Sequence, residues 1–115
     1  MNGAAHILLV EDEPLVSETV ASALGEAYLV SVAETAAEAE RRLTQCTFSA
    51  VLLDCLLPGG KAADVIAAAD ARRIPVVLMS GDPERIEALS EGGRPFLSKP
   101  FSIEQLFQAL RLAAG

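Results

Sequence analysis

Five short apolar runs punctuate the chain: Ile7-Leu8-Leu9-Val10, Leu29-Val30-Ser31-Val32, Ala50-Val51-Leu52-Leu53, Val76-Val77-Leu78-Met79 and the brief Phe96-Leu97. They run with little polar alternation, as the strands of a parallel sheet covered on both faces must. Between them the apolar positions recur at helical spacing. Pro14 opens the first helix at a position where a missing N–H costs nothing. Val16, Val20, Ala23 and Leu24 form its face, and Gly25 is placed to end it. Thr35-Ala36-Ala37-Glu38 has the capping-box pattern, followed by a narrow stripe of Ala39 and Leu43. Ala62, Val65, Ile66 and Ala69 carry a third helix. Asp82-Pro83 reads as N-cap and first helical position of a short helix containing Ile86 and Leu89. Ser102-Ile103-Glu104-Gln105 caps the last, whose predicted face is Ile103, Leu106, Phe107 and Leu110.

This alternation predicts five βα units in one domain, residues 1–115, with no repeat or linker. Right-handed crossovers then give a three-layer α/β sandwich. A flavodoxin-like and a small Rossmann-like strand order both fit the pattern, and in both the ligand lies at the carboxyl ends of the strands. A chain of 115 residues buries about two-thirds of the surface its unfolded form exposes. With 51% hydrophobic residues, 4% aromatic and no tryptophan, that core must be aliphatic.

Charge narrows the function. The formal net charge is −7, from 16 acidic and 9 basic side chains, whereas a duplex binder needs a basic face. The pairs Arg41-Arg42 and Arg72-Arg73 are too small and scattered to supply one, so no nucleic-acid partner is expected. Cys46 and Cys55 lack the spacing of a redox or zinc site and make no disulfide framework. Residues 1–5 carry no basic segment ahead of an apolar stretch, and no apolar run is long enough to span a bilayer. A cytoplasmic protein without membrane association is expected.

The strand ends carry the chemistry. Glu11 and Asp12 follow the first strand and Asp54 the third; Ser80 ends the fourth and Lys99 follows the fifth. Two carboxylates about 4 Å apart repel by roughly 4 kcal/mol at an effective dielectric of about 20. An acidic cluster therefore takes up protons or a cation. A hard divalent ion such as Mg²⁺, held by one or two carboxylates with waters and phosphate oxygens, answers that demand. A carboxylate flanked by a cation, a lysine and a hydroxyl suits phosphoryl transfer, with the carboxylate as nucleophile.

Over essentially its whole length the chain resembles the receiver domain of two-component response regulators. The resemblance rests on Ile7-Leu8-Leu9-Val10-Glu11-Asp12-Glu13-Pro14, Val51-Leu52-Leu53-Asp54 with Pro58 four residues on, Met79-Ser80-Gly81, and Lys99-Pro100-Phe101. It implies the flavodoxin-like (βα)5 sandwich with a parallel sheet of order 2-1-3-4-5. It implies a phosphorylation-dependent switch rather than an enzyme with a separate substrate. Asp54 resembles the phosphoacceptor and Asp12 the direct metal ligand. Glu11 resembles the acid that holds Mg²⁺ through water, and the backbone carbonyl of Leu56 the third protein ligand. Ser80 and Lys99 resemble the hydroxyl and lysine that engage the phosphoryl group, and Lys99-Pro100 falls where the family has a cis bond. Phe96 falls where the family has a rotating aromatic, although a buried core phenylalanine explains it nearly as well. The implied donor is a histidine kinase or histidine phosphotransfer domain.

Three departures stand out. The Ser80-to-Lys99 separation is shorter than in chemotaxis-type receivers, so the helix between is expected to be clipped. This resembles single-domain regulators and the receivers of hybrid kinases. Ala62 stands where the family usually has glycine, and Leu56, two residues after Asp54, where polar side chains often orient the hydrolytic water. The same Leu56 argues against a haloacid-dehalogenase-like phosphatase, which needs an acid there. His6 is expected as a plain edge residue and Cys55 as an apolar filler. Output is expected to pass through a surface to an unidentified protein target, from a monomer or weak homodimer.

Overall fold

The computed structural model describes residues 5–57, 61–82, 84 and 94–114. Among the described residues the elements follow in the order β1 (His6–Val10), α1 (Pro14–Leu24), β2 (Leu29–Ala33), α2 (Ala36–Gln45), β3 (Ala50–Asp54), α3 (Ala62–Ala71), β4 (Val76–Ser80), β5 (Phe96–Ser98) and α4 (Ile103–Ala114). All strand pairs are parallel, in the order β2-β1-β3-β4-β5. The flavodoxin-like order is therefore the one adopted.

Strand pleating divides the apolar runs between two cores. Leu8, Val10, Val51, Leu53 and Leu78 pack with Ala39 and Leu43 of α2 and Val65 and Ile66 of α3. Their alternates Ile7, Leu9, Leu52, Val77 and Met79 pack with Val20 and Leu24 of α1 and Leu106 and Leu110 of α4. Successive side chains point to opposite faces, so each continuous run serves both layers. Each fully buried aliphatic side chain contributes about 1.5–3 kcal/mol.

The helix signals act largely as expected. Pro14 begins α1 and Gly25 caps it, in a right-handed conformation that makes no use of glycine's freedom. The Thr35 hydroxyl accepts from the Glu38 N–H at 3.1 Å, and the Glu38 carboxylate accepts from Glu34 rather than from Thr35 itself. At α4 the box is reciprocal: Ser102 Oγ accepts from Gln105 N and Gln105 Oε1 from Ser102 N. Asp82 accepts from the Glu84 N–H, as an N-cap does. The helix expected to follow, with Ile86 and Leu89, lies outside the described residues, as does the Pro58-Gly59-Gly60 turn.

Three expectations need correction. Ile103 is exposed, because the face of α4 that meets the sheet runs through Leu106, Ala109 and Leu110, starting one turn later. Phe96 is 53% exposed, so it is not a core phenylalanine; on a three-residue edge strand only Leu97 turns inward. His6 is no edge residue: β1 lies between β2 and β3, its ring packs 4.5 Å from that of Phe48, and its Nε2 meets Ser31 Oγ at 2.7 Å. Cys55 is buried in the core beside α3, as expected of a small filler.

Candidate functional site

Backbone bonds past the strand ends deliver the polar groups to one rim. The Glu11 N–H donates to Ala33 O at 3.0 Å, Cys55 N–H to Met79 O at 2.9 Å, and Lys99 N–H to Ser80 O at 2.9 Å. The ladders thus extend one residue beyond β1, β3 and β5, which places Glu11, Asp54 and Lys99 with little freedom. Lys99-Pro100 is cis.

Glu11, Asp12 and Asp54 each offer a carboxylate oxygen within 4.8 Å of the others. Glu11 is fully buried and Asp54 nearly so, while Asp12 is half-buried. Lys99 Nζ stands 3.4 Å from Glu11 Oε1 and 3.6 Å from Asp54 Oδ2. Asp54 Oδ1 accepts from the Leu56 N–H at 3.0 Å, and Glu11 Oε2 from the Glu13 N–H at 3.3 Å. The buried Ser80 Oγ accepts from the Asp82 N–H at 2.9 Å, which leaves its own O–H proton free to donate elsewhere. Among the described contacts, Ser80 neighbours the cluster through its strand rather than through a direct bond. The Leu56 side chain is half exposed beside it.

The electrostatics express an unmet demand for cation. Burial is the main influence that pushes the Glu11 carboxyl up to about 7, and its hydrogen bond and repulsion with Asp54 push the same way. Lys99 and the Glu13 N–H offset only part of this. Burial weighs most on Lys99 too, and opposes its charge, but Asp54 and Glu11 together outweigh it and hold the ammonium above the usual lysine value. Three clustered carboxylate oxygens, one of them on a buried Glu11 whose hold on its proton is strengthened, fit a Mg²⁺ ion.

A stability prediction follows for the metal-free protein. Folded Glu11 binds its proton up to about 7, while the unfolded carboxyl releases it near the ordinary 4.5. The folded state therefore carries the extra proton between those values, so this contribution is full below the lower one and fades as pH rises through the upper. It should amount to about 3 kcal/mol. Urea midpoints between pH 5 and 8, compared with Glu11→Gln, should show the decline, and Mg²⁺ should flatten it. A contribution that grows with pH would contradict the Glu11 environment.

Sequence reasoning located Glu11, Asp12, Asp54, Ser80 and Lys99 at this rim. It missed the fork of Arg94 onto Asp70, at 2.9 and 2.5 Å. No local pattern links residues 24 apart.

Comparison with known proteins is consistent with this geometry. The response regulator receiver domain family matches residues 7–111. The transcriptional regulatory protein TcrA of Mycobacterium tuberculosis is 33% identical over 112 residues, covering 92% of this chain and 44% of the relative. The chain spans about half the length of the curated relatives it matches. A response regulator receiver protein from Sinorhizobium medicae shares the fold with a TM-score of 0.88 at 22% identity, over 96% of this chain and 94% of that one. The receiver domain of a sensor histidine kinase from Pseudomonas aeruginosa, with a magnesium ion coordinated in its active-site cleft, is 28% identical with a TM-score of 0.84. That match covers 98% of this chain and 99% of the other.

Proposed function

This chain belongs to the response regulator receiver family, and from that premise we propose that Asp54 accepts a phosphoryl group from phosphohistidine on a histidine kinase or histidine phosphotransfer domain. Receiver domains are phosphoacceptors of two-component signalling. Here Asp54 takes that role, residues 1–115 act as one such unit, and no separate substrate is turned over. The observation that carries it is a nearly buried carboxylate set between two further acids and the Lys99 ammonium.

In the transfer, an Asp54 carboxylate oxygen attacks phosphorus, the P–N bond breaks, and the departing imidazole keeps the bond's electrons and takes up a proton. Asp12, Asp54 and the Leu56 carbonyl, with Glu11 acting through water, would hold a Mg²⁺ ion, which would supply positive charge against the phosphoryl oxygens. Lys99, 3.4 Å from Glu11 and 3.6 Å from Asp54, offers a second cation, and Ser80 a hydroxyl donor from β4. Charged hydrogen bonds contribute roughly 1.5–3 kcal/mol each. Two of them supply close to the 5.5 kcal/mol or so that takes a two-state population from 1:99 to 99:1. That is enough to shift the surface presented to a protein target.

The receiver's own charge of −7 opposes contact with a duplex. Where relatives are transcriptional regulators, the match covers only about half of each. No helix among the described residues is long and apolar enough to cross a membrane. A cytoplasmic site of action and a monomer or weak homodimer complete the proposal.

Half-exposed Leu56 has no group with which to orient a water against the acyl phosphate. Leu56→Asn should therefore shorten the phosphoryl half-life about threefold to tenfold, the worth of one ordinary hydrogen bond. An unchanged half-life would remove Leu56 from the account. The assignment of Asp54 is tested by adding beryllofluoride and Mg²⁺. Amide resonances at Asp54, Ser80 and Lys99 should move, and should stay in place in Asp54→Asn. Equal shifts in both proteins would overturn it.

A further inference from the structure

Lys99 is useful only if β5 is in register, and β5 has little with which to set its own register. It is three residues long, lies at the sheet edge and, among the described residues, pairs only with β4, through Phe96, Leu97 and Ser98. Leu97 alone is buried, and it packs into the core shared with α1 and α4. Register follows the buried pattern of a strand, and one buried side chain specifies it weakly. A slip of two residues keeps Leu97's face but displaces the chain by about 6.6 Å. Lys99 Nζ has to lie within 3.4 Å of Glu11 and 3.6 Å of Asp54.

At the opposite end of β5, Arg94 ties the strand to the other helical layer. Its Nη1 and Nη2 donate to Asp70 Oδ1 and Oδ2 at 2.9 and 2.5 Å, a two-pronged pairing with fixed geometry. Asp70 stands in the last turn of α3, a helix anchored by buried Val65, Ile66 and Ala69. Arg94 Nε is buried and meets no hydrogen-bond partner among the described residues. A guanidinium free to swing into water would not hold that position. The pair is partly exposed, and such pairs add little to stability by themselves. What this one does supply is a fixed point two residues before Phe96.

We propose that Asp70 and Arg94 form a positioning pair that holds β5 in register and thereby places Lys99 beside Asp54. The effect on phosphorylation rests on the reading of Asp54 given above; the effect on strand register does not.

Amide hydrogen exchange tests the register. In Asp70→Ala the Leu78 and Lys99 N–H groups, which bond Pro95 O and Ser80 O across β4 and β5, should exchange about tenfold faster, a conversion to 1.4 kcal/mol. The Glu11 N–H, on the far side of the sheet, should not change. Asp70→Asn is the gentler variant should alanine prevent folding. With acetyl phosphate and Mg²⁺, the variant should take up phosphoryl about fivefold more slowly with Mg²⁺ affinity unchanged, and should slow a Lys99→Ala chain no further. Unchanged exchange at Lys99, or an equal slowing in the Lys99→Ala background, would overturn the pair's role. Failure of the Asp54 assignment instead shows as no uptake by the unmodified chain, and the exchange result still decides the register.

Discussion

Asparagine at position 54 is expected to abolish phosphoryl uptake, a loss of at least about 10³-fold. The substitution keeps the shape of the side chain, and its carbonyl oxygen can still accept from the Leu56 N–H that now bonds Asp54 Oδ1 at 3.0 Å. What it removes is the charged nucleophile. It also removes one of three clustered carboxylates, with a second consequence at Glu11. Of the influences that raise Glu11 to about 7, the hydrogen bond and repulsion with Asp54 weaken while burial stays. Glu11 in Asp54→Asn should therefore titrate lower than in the parent yet above an ordinary glutamate, as carbon-13 resonances of the side chain would report. Uptake at the parent rate, or an unmoved Glu11, would contradict the site as described.

Lys99→Ala should slow phosphorylation by about 10² to 10³-fold, the usual cost of losing one preorganised donor at developing charge. Its ammonium touches Glu11 and Asp54 together, so the effect should differ in kind from loss of the nucleophile. The acids stay in place, and with a competing cation gone, Mg²⁺ affinity should hold or rise. Glu11 should bind its proton more tightly still, because Lys99 is one of the two groups that lower it. Rates with acetyl phosphate at saturating Mg²⁺, with metal titrations alongside, separate these effects. A variant that phosphorylates normally, or one that loses Mg²⁺, would show that Lys99 does other work.

The sequence was most readable where one physical requirement dominated. Continuous runs such as Val51-Leu52-Leu53 have few outcomes other than a strand covered twice, and the structure splits them between two cores. Acids placed directly after such runs must arrive at the same edge, so Glu11, Asp12 and Asp54 were legible together. Strand order was not: the apolar pattern allows two orders, and the family resemblance chose between them. Side-chain exposure at element ends was also less legible. Ile103 and Phe96 are apolar but exposed, because the geometry of a helix start and an edge strand outweighs residue type there. Pairs such as His6 with Ser31 and Arg94 with Asp70 depend on how distant elements meet, and helical or strand periodicity carries no record of that.

The most direct test is to treat the chain with acetyl phosphate, with and without Mg²⁺, and to follow intact mass and then map the modified peptide. The account predicts one phosphoryl group, acquired only with the metal, labile as an acyl phosphate, and carried by the peptide that contains Asp54. No uptake, or a phosphoryl group on His6 or any other residue, would contradict it.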